Sequence, residues 1–66
     1  MPRKIRELVS DLRRAGFALD RQAGSHRQFK HLRFPGVVTV SGAEGQDAKP
    51  YQERQVRAAI QRVQAQ

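Results

Sequence analysis

The apolar residues of this chain fall into two stripes at its ends and one alternating middle, a distribution that leaves few folds open. Ile5, Leu8, Val9 and Leu12 stand at i, i+3, i+4 and i+7, and Val56, Ala59, Ile60 and Val63 repeat the same spacing. That period places four side chains on one side of a helix. It predicts a first helix over about 3–15 and a second over about 50–64. Pro2 suits a first helical turn, Gly16 supplies a left-handed stop, and Pro50 is acceptable as an opening helical residue. Arg3, Arg6, Arg13 and Arg14 fall away from the first stripe.

Between the helices the period changes to two. Phe17 and Leu19 alternate with Ala18 and Asp20, which predicts a short strand directly after the helix stop. Ala23-Gly24-Ser25 reads as a hairpin turn, and residues 26–33 follow as a second strand punctuated by Pro35-Gly36. Val37-Val38-Thr39-Val40 is β-branched throughout and reads as a third strand. Residues 41–49 have loop chemistry. The predicted class is therefore α+β, in the order α-β-β-β-α. A three-stranded antiparallel meander would carry both helices on one face and leave its other face open. This is the order of double-stranded-RNA-binding domains, although topology alone does not set function.

With 66 residues and no cysteine, residues 1–66 have room for a single domain, without disulfide or thiolate-metal staples. The core has to come from Ile5, Leu8, Val9, Leu12, Phe17, Leu19, Phe29, Phe34, Val37, Val38, Val40, Val56, Ile60 and Val63. Charge is more telling. Thirteen Lys and Arg against six Asp and Glu give a net charge of +7. Residues 1–33 hold nine of the basic and three of the acidic side chains. A field concentrated in this way attracts polyanions, of which nucleic acid is the commonest. No segment has the run of about 18 apolar residues that a bilayer span needs. Charges also break up any signal-like apolar stretch near the N-terminus, so the cytoplasm is the expected compartment.

Few kinds of active site can be built from these residues. A zinc site would need both histidines plus carboxylates, there is no Gly-rich phosphate loop, and no acidic cluster suits magnesium. No metal or other cofactor is expected. What remains is Gly24-Ser25-His26-Arg27-Gln28-Phe29-Lys30-His31. Gly24 can take the positive φ of a tight turn, and Ser25 offers a hydroxyl. Histidine is the side chain whose ordinary pKa, about 6.5, suits acid or base work near neutrality. Arg21, Arg27, Lys30 and Arg33 surround His26 in sequence and could hold phosphates. The set suits RNA cleavage: a neutral imidazole takes the 2′-hydroxyl proton, the oxygen attacks phosphorus, and cations stabilise the growing charge. DNA lacks that hydroxyl. Activity should then rise with pH through the range in which histidines titrate. His26 and His31 are five residues apart, which on a strand means opposite faces and roughly 16 Å of separation. His31 shares its face with Phe29 and reads as a structural residue at the strand end.

These residues also resemble a known family. Gly16-Phe17 after an amphipathic helix, then Arg21-Gln22, Gly24-Ser25-His26 and Phe29, is similar to the HicA toxins, and the strand Val37–Val40 and closing helix follow in the same order. The resemblance is close over about residues 4–40 and looser to 64. It implies a toxin of a type II toxin–antitoxin system: a metal-independent endoribonuclease acting on messenger RNA and covered by a HicB antitoxin protein. His26 matches the family's catalytic histidine, and Gly24 and Ser25 match the turn that presents it. The chain departs from the pattern after the third strand. There Ser41-Gly42-Ala43-Glu44-Gly45 replaces the usual proline-led segment and lengthens the loop. At the start of the second helix, the basic cluster of double-stranded-RNA-binding domains is reduced to Lys49, so weak binding to plain duplex RNA is expected.

A non-catalytic RNA-binding module of the same fold is the alternative reading. A helix-turn-helix DNA reader is disfavoured because a sheet separates the helices. A membrane-surface helix is disfavoured because the first stripe has no aromatic anchor. An antitoxin partner is expected to be acidic and to cover the His26 region, since a basic face is most readily blocked by its electrostatic complement.

Overall fold

A computed structural model describes residues 2–65. The elements run α1 (Ile5–Arg14), β1 (Ala18–Ala23), β2 (His26–His31), β3 (Phe34–Ser41) and α2 (Pro50–Gln64). The strands form one antiparallel sheet in the order β1-β2-β3. This is the α-β-β-β-α, α+β layout expected from the periodicity. No helix among the described residues is long and apolar enough to cross a membrane.

Each helix turns the stripe its spacing defines toward the core, although Ile60, like Phe34, is only partly buried against it. Ile5, Leu8, Val9 and Leu12 of α1 and Val56, Ala59 and Val63 of α2 join Phe17, Phe29, Val38, Val40 and Ala48 in one core. Both helices lie over β3, and Phe29 of the central strand is fully enclosed beneath them. The end of α1 is a Schellman motif: Gly16 N–H donates to the Arg13 carbonyl and Phe17 N–H to the Leu12 carbonyl. Gly16 adopts φ +97° to allow it. The arrangement brings Phe17 back onto Leu12 and into the core just ahead of β1.

The loop 42–49 is ordered by a job it does for α1. Its carbonyls at Gln46 and Glu44 accept the N–H groups of Ile5 and Arg6, and Ala48 N–H donates to the Arg3 carbonyl. Donors that a helix N-terminus cannot satisfy internally are thereby supplied with partners. The Glu7 carboxylate reaches back to the Lys4 N–H at 2.7 Å.

The sheet differs from the sequence reading in three places. β2 ends at His31 and the turn is Leu32-Arg33, so Pro35-Gly36 lies inside β3. His31 pairs with Phe34 and Phe29 with Val38, so Lys30 alone faces Pro35, Gly36 and Val37. Gly36, at φ +83°, absorbs this bulge, and Pro35 is tolerated because β3 is an edge strand. Val37, expected in the core, is exposed. Alternation lets Val38 and Val40 share the inner face, and the valine between turn and core must point the other way. Leu19, also expected inside, is 39% exposed. It sits opposite Phe29, but on an edge strand that extends beyond the helical layer.

Candidate active site on the open sheet face

Register decides which side chains share a face, because directly opposed residues point the same way. His26 is opposed by Ala23 and Ser41, and Gln28 by Arg21 and Thr39. These residues and Lys30 lie on the face the helices leave open. Arg27 is opposed by Gln22 and Val40 and therefore points to the helical side with Phe29.

His26 opens β2 immediately after the turn Gly24-Ser25. Gly24 has φ +58°, and no described residue other than glycine has positive φ. A two-residue hairpin with positive φ only at its first position matches the twist of antiparallel strands. A Cβ at Gly24 would meet nothing within 4 Å, so this glycine answers to backbone conformation and not to space. Ser25 is exposed beside it, and its carbonyl accepts Gly42 N–H at 3.2 Å.

The His26 ring is exposed, and its Nδ1 lies 2.8 Å from Ser41 Oγ. No described residue is hydrogen-bonded to its Nε2. Ser41 is itself gripped from behind. Gln52, on the first turn of α2 and only 5% exposed, accepts from Ser41 N–H through Oε1 at 3.2 Å and donates through Nε2 to the Ser41 carbonyl at 3.1 Å. Neither Ser41 nor Gln52 was singled out from sequence. The signal lay in the registry of β3 against β2, which depends on the unforeseen bulge.

The cations divide into two groups. Arg21 is exposed on the open face, one diagonal step from His26, a separation of about 7–8 Å in such sheets. Lys30 lies on the same face, roughly 13 Å along the strand, and its Nζ is 3.3 Å from the Asp20 carboxylate. Exposed ion pairs of that kind contribute little and exchange readily. Arg27 and Arg33 are not brought to His26. Arg27, whose side chain is 14% exposed, donates to the Gly42 carbonyl at 3.3 Å and lies 3.6 Å from Glu44, so it tethers the loop that caps α1. Arg33 lies in the turn at the far end of β2, its N–H donating to His31 Nδ1 at 2.9 Å. His31 sits at the end of β2, its ring tilted against the Phe17 ring with the centroids 5.0 Å apart.

Among the described residues, no group of three His, Cys, Asp or Glu side chains could hold a metal ion. The family model for the HicA toxin of bacterial toxin-antitoxin matches residues 5–63. The chain belongs to the HicA toxin family. The match extends through α2 and takes in the loop by which this HicA toxin departs from the expected pattern. A search of curated proteins finds none that matches. As a HicA toxin, the chain is the toxin of a toxin–antitoxin system, and its membership implies an antitoxin partner and an RNA target.

Proposed function

We propose that this HicA toxin is a metal-independent endoribonuclease that cleaves messenger RNA in the cytoplasm, acting as one domain with His26 as general base and acid. The observation that carries the reading is the exposed His26 ring, held at Nδ1 by Ser41 on an open sheet face with Arg21 and Lys30. Nε2 of the neutral ring accepts the 2′-hydroxyl proton, and the 2′-oxygen attacks the adjacent phosphorus. The bond from phosphorus to the 5′-oxygen breaks, leaving a 2′,3′-cyclic phosphate. The imidazolium so formed is the nearest proton store for the departing 5′-oxygen. Arg21 and Lys30 neutralise flanking phosphates, with Lys30 exchanging Asp20 for the substrate. The turn Gly24-Ser25 leaves space for the backbone to pass, and Ser25 offers it a hydroxyl. Arg27 and Arg33 are left out of this contact set because their positions serve the loop and the distal turn. The antitoxin is of the HicB type and presents an acidic surface to the same face.

The test is cleavage of a messenger RNA by the parent chain and by His26→Ala, with binding followed in parallel. The rate should fall by about 10²–10⁴-fold, the usual contribution of a general base, while binding is retained. A 2′-deoxy substitution at the cut site should block the parent. Equal cleavage by His26→Ala would remove the histidine from the mechanism. A parent that binds RNA without cutting it would establish the binding-module reading instead.

A further inference from the structure

We propose that Gln52 and Ser41 form a positioning relay that fixes the proton of the neutral His26 ring on Nδ1 and so keeps Nε2 a proton acceptor. The inference rests on the ribonuclease reading for its consequence, although not for its geometry.

The relay begins with the sheet edge. Gly42 N–H donates to the Ser25 carbonyl, a bond one residue outside the His26·Ser41 pair. In an antiparallel ladder this makes His26 and Ser41 a non-hydrogen-bonded pair, the kind whose side chains stand closest. It also turns the N–H and carbonyl of Ser41 away from β2, toward an edge where no fourth strand exists. Gln52 takes that strand's place. A carboxamide carries a donor and an acceptor side by side, as a peptide group does, and both of its ends are used on Ser41. Gln52 is the one buried polar residue among those described, and such a residue is costly unless both ends are satisfied. Helix α2 therefore sets the main chain of Ser41, and the Cα–Cβ direction of Ser41 places Oγ at the imidazole.

The chemistry follows from what each state of the ring needs. A base at Nε2 requires an Nδ1–H tautomer, and the imidazolium formed after proton transfer carries Nδ1–H as well. One acceptor at Nδ1 serves both states without rearrangement. The relay assigns the acceptor role to Ser41 Oγ, 2.8 Å from Nδ1, which requires the serine hydroxyl hydrogen to turn away from the ring. Ser41 and Gln52 are thus positioning residues; of the three members of the relay, only His26 touches substrate.

The experiment is long-range ¹H–¹⁵N correlation of the His26 ring in the folded chain at a pH where the ring is neutral. Spectra are recorded for the parent, Ser41→Ala, Ser41→Thr, Gln52→Ala and Gln52→Glu, with cleavage kinetics on the same samples. The parent and Ser41→Thr should give the Nδ1–H pattern, and Ser41→Ala should move toward Nε2–H. In Ser41→Ala, kcat should fall about tenfold or more, by analogy with the loss of a partner that orients a metal-bound histidine, with KM for RNA unchanged. Gln52→Ala should shift the pattern part of the way. Gln52→Glu, which keeps the acceptor and loses the donor, serves if Gln52→Ala does not fold. A parent ring already in the Nε2–H form, or one unmoved by Ser41→Ala, overturns the relay. A pattern unmoved in the folded Gln52 variants removes Gln52 from it. Because the tautomer is read without turnover, an Nδ1–H parent that cannot cut RNA would sink the ribonuclease reading and leave the relay standing.

Discussion

Two glycines that look alike in sequence are held by different physics. Gly16 and Gly24 both adopt positive φ, which costs a residue with a Cβ roughly 1–2 kcal/mol. A Cβ on Gly24 would stand in open space, whereas one on Gly16 would meet His31 Nε2 at 3.0 Å. His31 cannot easily give way, since its ring is packed on Phe17 and its Nδ1 holds Arg33 N–H. Gly24→Ala should therefore lower stability by about 1 kcal/mol and Gly16→Ala by about 2 kcal/mol or more. Urea midpoints would check the order, and equal losses would mean that the His31 contact carries no weight. The sequence revealed that both positions favour glycine, from the helix stop and the hairpin. The neighbour that makes Gly16 less replaceable is fifteen residues away and was invisible until β2 had been placed.

Strands assign the arginines. Arg21 and Arg27 have the same chemistry, and both were expected to hold phosphates. Parity along β2 and the register with β1 send Arg21 to the open face and Arg27 to the helical one. There Arg27 is tied to Gly42 and Glu44, in the loop whose carbonyls cap α1. Arg27→Ala should thus lower stability by about 1–2 kcal/mol, in line with loss of a charged hydrogen bond to a partly buried acceptor, and leave RNA affinity at moderate salt little changed. Arg21→Ala should do the reverse: stability within about 0.5 kcal/mol of the parent, with weaker RNA binding and a shallower salt dependence. Urea denaturation and binding titrations at two ionic strengths separate the two roles. If Arg27→Ala cost affinity and Arg21→Ala did not, the assignment of faces would be wrong.

At the scale of the molecule, the sheet divides labour between its faces. One face buries Phe29, Val38 and Val40 beneath two helices, and the other carries His26, Arg21 and Lys30 outward. A net charge of +7 on 66 residues makes that open face attractive to any polyanion, including an acidic protein. The antitoxin should therefore compete with RNA for it. Arg21→Glu is expected to weaken the complex at least tenfold at low salt, with the difference narrowing as salt screens the charge. Titration of parent and variant against the antitoxin would measure this. An antitoxin bound away from His26, with cleavage unimpeded, would refute the shared face.

Periodicity and charge were enough to determine the element order, the helix stripes, the hairpin at Gly24-Ser25, the candidate histidine and a basic character suited to RNA, because each depends on residues close together in the chain. Tertiary structure decided what depends on register and on layer coverage. The bulge at Gly36 set Ser41 opposite His26, the overhang of β1 left Leu19 exposed, and the approach of α2 put Gln52 against the sheet edge. A one-residue change of register exchanges the two faces of a strand, so no reading of local pattern could have found the serine that holds the imidazole.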